Sequence, residues 1–178
     1  MRKALFFLGV LSDHDVEWIL SAGSLERPRA GSVLIRQGET IERLYLVLDG
    51  VLTVTVGPAP GRPIATLRAG EIVGEISLVD SRPTSATVTA TEDSLALSIP
   101  RSRLAEKLRE DGFASRFYHA LALFLADRLR ASVSRLGYGD PGHDADGGSD
   151  EEMALEALEH LTLAGARFEA ILRRVREG

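Results

Sequence analysis

Between Gly70 and Val88 the chain reads G-E-I-V-G-E-I-S-L-V-D-S-R-P-T-S-A-T-V, and these residue types at this spacing suit a phosphate and a sugar. Gly70 and Gly74 let the backbone turn tightly and approach a ligand with no Cβ in the way. Glu75 opens the short apolar run Ile76-Ser77-Leu78-Val79. As a helical turn, that run presents free backbone N–H groups to whatever precedes it, which favours an anion. Glu75 itself repels a phosphate, so its natural partner is a neutral hydroxyl such as a ribose 2′-OH. Arg82 offers a planar fork of donors for phosphate oxygens. The plainer reading is a surface turn followed by a strand over 85–88, and a lone G-E-x-x-G-E does not exclude it.

Such a cradle needs a frame, and the flanking sequence supplies strands. Leu44, Leu46 and Leu48 alternate with Tyr45 and Val47, and Asp49-Gly50 then predicts a hairpin. Val51 to Val56 returns as a β-branched strand. Short strands at 64–67 and 94–99 complete the spacing of a sandwich or jelly roll. The fold class is mainly β with flanking helices.

Cassette and frame together resemble the cyclic nucleotide-binding domain family, in family order, over roughly residues 5 to 137. The match is carried by Gly70-Glu71, Gly74-Glu75-Ile76-Ser77-Leu78, Pro83 and Ser85-Ala86-Thr87-Val88, with Ile35 to Glu39 and Leu44 to Leu52 upstream. The resemblance implies a double-stranded β-helix or jelly roll, followed by a long C-terminal helix. It also implies that Glu75, with Gly74, meets the ribose, and that the N–H groups near Ile76 and Ser77, together with Ser85, meet the phosphate. One position departs. Thr84 stands where the family carries its phosphate arginine, and Arg82 stands two places earlier. Those two residues are the remaining candidates for that end of the site.

Helices bracket the roll. Ser12 reads as the N-cap of a helix with Val16, Ile19 and Leu20 on one face. Pro100 ends the last strand, and a short helix over 101–110 closes at Asp111-Gly112. A long helix over 113–136 follows, with Phe117, Leu121, Phe124, Leu125, Leu129, Val133 and Leu136 at three- and four-residue steps. Its stripe is wider than one sheet should need, which points to a homodimer through this helix as well as to ordinary core packing. Here Ala126-Asp127-Arg128-Leu129-Arg130-Ala131-Ser132-Val133 resembles the family's catabolite-activator branch. That resemblance implies Arg128 bridging to Glu75 and Ser132 at the base, against the plainer reading of both as solvent-facing.

The division expected is a helical lead-in over 1–30, the roll with its cassette over 31–100 and lid helices over 101–137. A Gly-rich acidic linker over 138–150 and an amphipathic tail helix over 151–178 follow. The tail must bury its stripe of Met153, Leu155, Leu158, Leu161, Phe168, Ile171, Leu172 and Val175 on its own domain, a twin or a protein partner.

Composition narrows the function. A chain of 178 residues with 44% hydrophobic content buries one good core, and a net charge of −5 argues against a nucleic-acid surface. No helix-turn-helix pattern is present, so DNA is not an expected partner. There is no Cys, hence no disulfide framework. The N-terminal apolar run is short and followed by Ser12-Asp13-His14-Asp15, which favours a cytoplasmic protein over a secreted one, and no segment suits a membrane span. His14, His119, His143 and His160 sit in predicted helices or the linker, away from a strand-borne metal cluster. No catalytic arrangement stands out. The expectation is a non-catalytic cyclic nucleotide-binding regulatory module, cAMP ahead of cGMP, signalling through helix rearrangement. The competing reading is a degenerate domain that lost the ligand and serves as a dimerisation or docking module.

Overall fold

A computed structural model describes residues 5–135 and 150–177. Two antiparallel four-stranded sheets form a roll. One sheet runs in the order β1 (Ser24–Glu26), β8 (Leu95–Pro100), β3 (Arg43–Asp49), β6 (Ile72–Val73). The other runs β2 (Val33–Ile35), β7 (Thr87–Ala90), β4 (Val51–Val56), β5 (Arg62–Arg68).

β3 shows how the sequence pattern builds two cores. Tyr45 and Val47 point between the sheets and pack with Leu52, Leu67 and Val88. Leu44, Leu46 and Leu48 turn the other way, onto a helical layer containing Phe7, Leu104 and Phe117. Successive side chains leave a strand on opposite faces. A strand covered on both faces therefore buries every residue from Leu44 to Leu48.

Asp49-Gly50 does not close a hairpin, contrary to the sequence expectation. β3 and β4 lie in different sheets, and the chain passes from one to the other at Gly50. Gly50 has φ +91, and a Cβ there would come within 2.2 Å of Ser94 Oγ. An Asp-Gly pair supplies the positive φ that any sharp corner needs, and the roll uses it for a sheet-to-sheet corner. The hairpin is instead β4 with β5, paired from Val51 opposite Arg68 to Val56 opposite Arg62.

Helices cover the outer face of the first sheet. α1 (Leu5–Val10) leads into α2 (Asp13–Ala22), whose start is a capping box. Asp15 N–H donates to Ser12 Oγ at 3.2 Å and Ser12 N–H donates to Asp15 Oδ2 at 2.8 Å. The buried Asp15 carboxylate also accepts two bonds from Arg116, at 2.6 and 3.0 Å. After α4 (Arg101–Lys107), the long helix α5 spans Asp111–Arg135. It begins two residues before the apolar pattern does. Asp111 and Gly112 form its first turn, where an acidic side chain suits the helix dipole, rather than closing the helix before it.

The last helix, α6 (Asp150–Glu177), folds back onto α1 and α2. Ala164 and Ile171 are fully buried there, with Phe168, Leu172 and Val175 packed around them. Arg167 donates to the Leu8 and Leu11 carbonyls and to the Asp13 carboxylate at 2.7 and 2.9 Å. The carbonyls left open at the end of α1 are thereby satisfied. Intramolecular burial is the outcome for the described part of the tail stripe. Residues 136–149, where the linker was expected, lie outside the described residues, as do the side chains of Met153, Leu155, Leu158 and Leu161. No helix among the described residues is long and apolar enough to cross a membrane.

Candidate ligand site

Gly74 and Glu75 are placed by a turn that only glycine fits. β6 ends at Val73, and the helix α3 (Glu75–Asp80) begins two residues later. Gly74 between them has φ +93, and a Cβ on it would lie 2.4 Å from Ile41 Cδ1 and 3.0 Å from the Arg43 carbonyl oxygen. The chain can therefore reverse at this point only without a side chain. The reversal drives the Glu75 side chain inward, to 2% exposure.

A cavity of about 400 Å³ opens beside it. Ligand cavities generally run from roughly 300 to 1,000 Å³, so this is a small-molecule volume. Its walls come from β4 and β5, from α3, from the segment 84–88 and from α5. Gly74, Glu75, Ile76, Ser77, Thr84, Ser85, Arg128 and Ser132 all face it. Every site residue expected from the sequence is thus brought to one place, except Arg82.

Glu75 and Arg128 hold each other at the cavity wall. The Arg128 guanidinium donates to Glu75 Oε1. Arg128 also lies over the ring of the buried Phe124, 5.0 Å from its centroid, which fixes the guanidinium from below. Burial pushes the Glu75 carboxyl above its ordinary value, and the charge of Arg128 and the N–H groups of Glu75 and Gly74 pull it only part of the way back. One turn on, Ser132 Oγ donates to the Arg128 carbonyl at 2.9 Å. In that rotamer its lone pairs are free to accept.

The phosphate end is built differently from the expectation. Arg82 does not reach the cavity. The chain turns outward at Ser81, the α3 C-cap with φ +57, and the Arg82 side chain is 82% exposed beside Asp80 at 3.9 Å. Thr84 is buried, but its hydroxyl donates to the Arg36 and Glu39 carbonyls, the latter at 3.1 Å. Backbone bonds from Thr84 N–H to the Glu39 carbonyl (3.0 Å) and from Gly38 N–H to the Thr84 carbonyl (2.8 Å) complete the tie. Thr84 is a clasp for the 36–39 loop. What remains for an anion is the start of α3 and the hydroxyls of Ser77 and Ser85.

Sequence reasoning missed the apolar walls. Ile64, Leu67 and Leu129 line the cavity. The late part of the α5 stripe signalled Leu129, whereas Ile64 and Leu67, three residues apart, share a wall across the register shift of β5 against β4, which alternation does not reveal.

Residues 25–111 match the family described as the cyclic nucleotide-binding domain. The chain belongs to the cyclic nucleotide-binding domain family. Its roll of two four-stranded sheets is that domain's fold. Among curated relatives, the cyclic AMP receptor protein of Thermus thermophilus is 32% identical over 132 residues, covering 73% of this chain and 59% of that one. The cGMP-dependent protein kinase of Toxoplasma gondii is 33% identical over 98 residues, covering 55% of this chain and 10% of the kinase. The chain thus spans only part of the length of the relatives it matches. A cyclic nucleotide-binding domain from Methylobacillus flagellatus superposes with a TM-score of 0.66 at 25% identity, covering 76% of this chain and 78% of that one.

Proposed function

We propose that this domain is a non-catalytic regulatory module that takes a ribose-bearing nucleotide-type ligand into the cavity under α5. The observation that carries this reading is Glu75, a buried carboxylate facing the cavity and held by one cation from a different element. Burying a carboxylate is costly unless it is paired and hydrogen-bonded. A ribose hydroxyl donating to Glu75 would add to the Arg128 bond rather than compete for it. The bond also links the ligand to α5, so binding has a direct means of biasing the helix between two positions.

Ser132 favours adenine over guanine. While its hydroxyl donates to the Arg128 carbonyl, its lone pairs are placed to accept from the adenine amino group. This supports cAMP ahead of cGMP. Titration calorimetry with both, on the wild type and on Glu75→Ala, tests the reading. The expected result is measurable binding of cAMP, weaker binding of cGMP and at least a tenfold loss in the variant. Equal affinity of wild type and Glu75→Ala would refute it.

A second copy of the chain is the proposed partner of α5. Tyr118, Leu123, Leu129 and Val133 are exposed along it, Leu129 to 65%, where the earlier Phe113, Phe117 and Phe124 are buried. A twin helix laid on this stripe would cover it and close the cavity mouth beside Leu129. Sedimentation of the wild type should show a dimer that Leu129→Asp shifts toward monomer.

The alternative is a domain that kept the roll and docks partners without a ligand. The exposure of Arg82 and the commitment of the Thr84 hydroxyl favour it to the extent that the ligand must carry a phosphate.

A further inference from the structure

The charges lining the cavity cancel. Glu75 and Arg128 are the only ionisable side chains facing it among the described residues, and each is the other's partner. A cyclic phosphate brought into this space would be a third charge with no cation of its own. Arg128 has further N–H donors, but its single positive charge is already balanced by Glu75, and a carboxylate buried to 2% exposure is strongly disfavoured without its cation. Arg82 lies at the surface with Asp80. Thr84 points its proton at loop carbonyls. The start of α3 offers backbone N–H groups, but a six-residue helix supplies little dipole to hold a full negative charge. The other polar groups at that end are the Ser77 and Ser85 hydroxyls, which suit neutral oxygens equally well.

The remaining surface is apolar. Val54, Ile64 and Leu67 from the roll face Leu125 and Leu129 from α5, the walls expected around a flat heteroaromatic ring. The cavity thus offers one hydroxyl acceptor (Glu75), one acceptor for an amino group (Ser132), an apolar slot and neutral hydroxyls where a phosphate would sit.

We propose that the ligand this cavity selects is an uncharged purine nucleoside of the adenosine type, bound in preference to the cyclic 3′,5′-monophosphate. The free 3′- and 5′-hydroxyls of a nucleoside can bond with Ser77, Ser85 and the α3 N–H groups without introducing charge. The inference rests on the reading of Glu75 as the ribose acceptor, and it replaces only the phosphate half of that reading. It also assigns Thr84 a role in specificity. By holding the 36–39 loop with its hydroxyl, Thr84 leaves the phosphate position without a cation.

The test is a set of calorimetric titrations of the wild-type chain with adenosine, 2′-deoxyadenosine and cAMP, repeated on Thr84→Arg. Adenosine is expected to bind at least tenfold more tightly than cAMP, and 2′-deoxyadenosine at least tenfold more weakly than adenosine. Thr84→Arg is expected to raise cAMP affinity and narrow or reverse the order. If Thr84→Arg does not fold, the wild-type order alone decides. cAMP binding more tightly than adenosine to the wild type overturns the nucleoside proposal and leaves the ribose reading standing. Absence of binding by all three at millimolar concentration overturns both.

Discussion

Arg128 of α5 donates to the carboxylate of Glu75 at the start of α3, across 53 residues of sequence, and this contact joins the cavity floor to the helix above it. Each partner is held independently: Glu75 by the glycine turn before it, Arg128 by the Phe124 ring beneath it. The pair is therefore preorganised, and losing either member should be felt in both stability and binding. A double-mutant cycle of Glu75→Gln and Arg128→Met should give a coupling of about 1–3 kcal/mol in denaturant unfolding. Arg128→Met alone should cost more than the double variant, because it leaves a buried carboxylate unpaired. The carboxyl is raised above its ordinary 4.5 even with Arg128 present. Its favourable contribution is thus complete below that value and is lost as pH rises through the folded pKa. Arg128→Met should widen that window, so the variant should recover stability on acidification toward the carboxyl's ordinary value, measured by thermal unfolding at several pH values.

Gly74 tolerates no side chain. At φ +93, with Ile41 Cδ1 only 2.4 Å from where a Cβ would stand, alanine meets both backbone strain and a clash. Gly74→Ala should lose about 2–3 kcal/mol and shift Glu75 from the cavity. Urea unfolding checks the first effect and nucleotide titration the second.

Asp15 sets an acid limb of opposite sign. Burial alone would raise its carboxyl, but the bonds from Arg116 and Ser12 outweigh burial and bring it from 3.8 down to about 2. A depressed carboxylate contributes stability above its unfolded value and loses it as pH falls through the folded one. Wild type should therefore lose about 2 kcal/mol between roughly pH 4 and pH 2 that Asp15→Asn does not, read from the pH dependence of unfolding.

Arg167 is the clasp of the tail helix. It joins α6 to the end of α1 through the Leu8 and Leu11 carbonyls and to Asp13. Arg167→Ala should raise amide hydrogen exchange along α6 and α1 and leave the roll strands β3 and β8 protected. Equal exchange in variant and wild type would mean that Ala164 and Ile171 hold the helix without it.

Much of this architecture was legible because local chemistry and tertiary use agreed. Ser12 caps α2 as its residue type predicts, and the Leu44-to-Leu48 alternation maps directly onto two cores. The cassette turn was readable because Gly74 and Glu75 are dictated by sterics and burial at a single place. The misread features were those where one local signal serves two geometries. Asp49-Gly50 supplies a positive φ, and nothing within the dipeptide distinguishes a hairpin from a corner between sheets. Arg82 looked close enough to reach a phosphate in sequence, but direction is set by the left-handed Ser81 before it. The Thr84 clasp depends on carbonyls 45 and 48 residues away. No spacing rule within the cassette could reveal it.

The exposed position of Arg82 yields a simple contrast. Arg82→Ala should leave ligand affinity within about twofold of wild type, whereas Ser132→Ala should weaken binding of an adenine ligand several-fold, both measured by calorimetry. A large loss in Arg82→Ala would require the segment after Ser81 to turn inward when ligand binds.

Entry of a ribose-bearing ligand beneath α5, in contact with Glu75, is the proposal on which the others depend. Backbone amide spectra recorded during titration with adenosine and cAMP test it most directly. Saturable shifts are expected at Gly74, Glu75, Ile76 and Ser77, together with shifts along Leu125 to Ser132, and all should be lost in Glu75→Ala. Shifts confined to residues outside this cavity, or none at millimolar ligand, would contradict it.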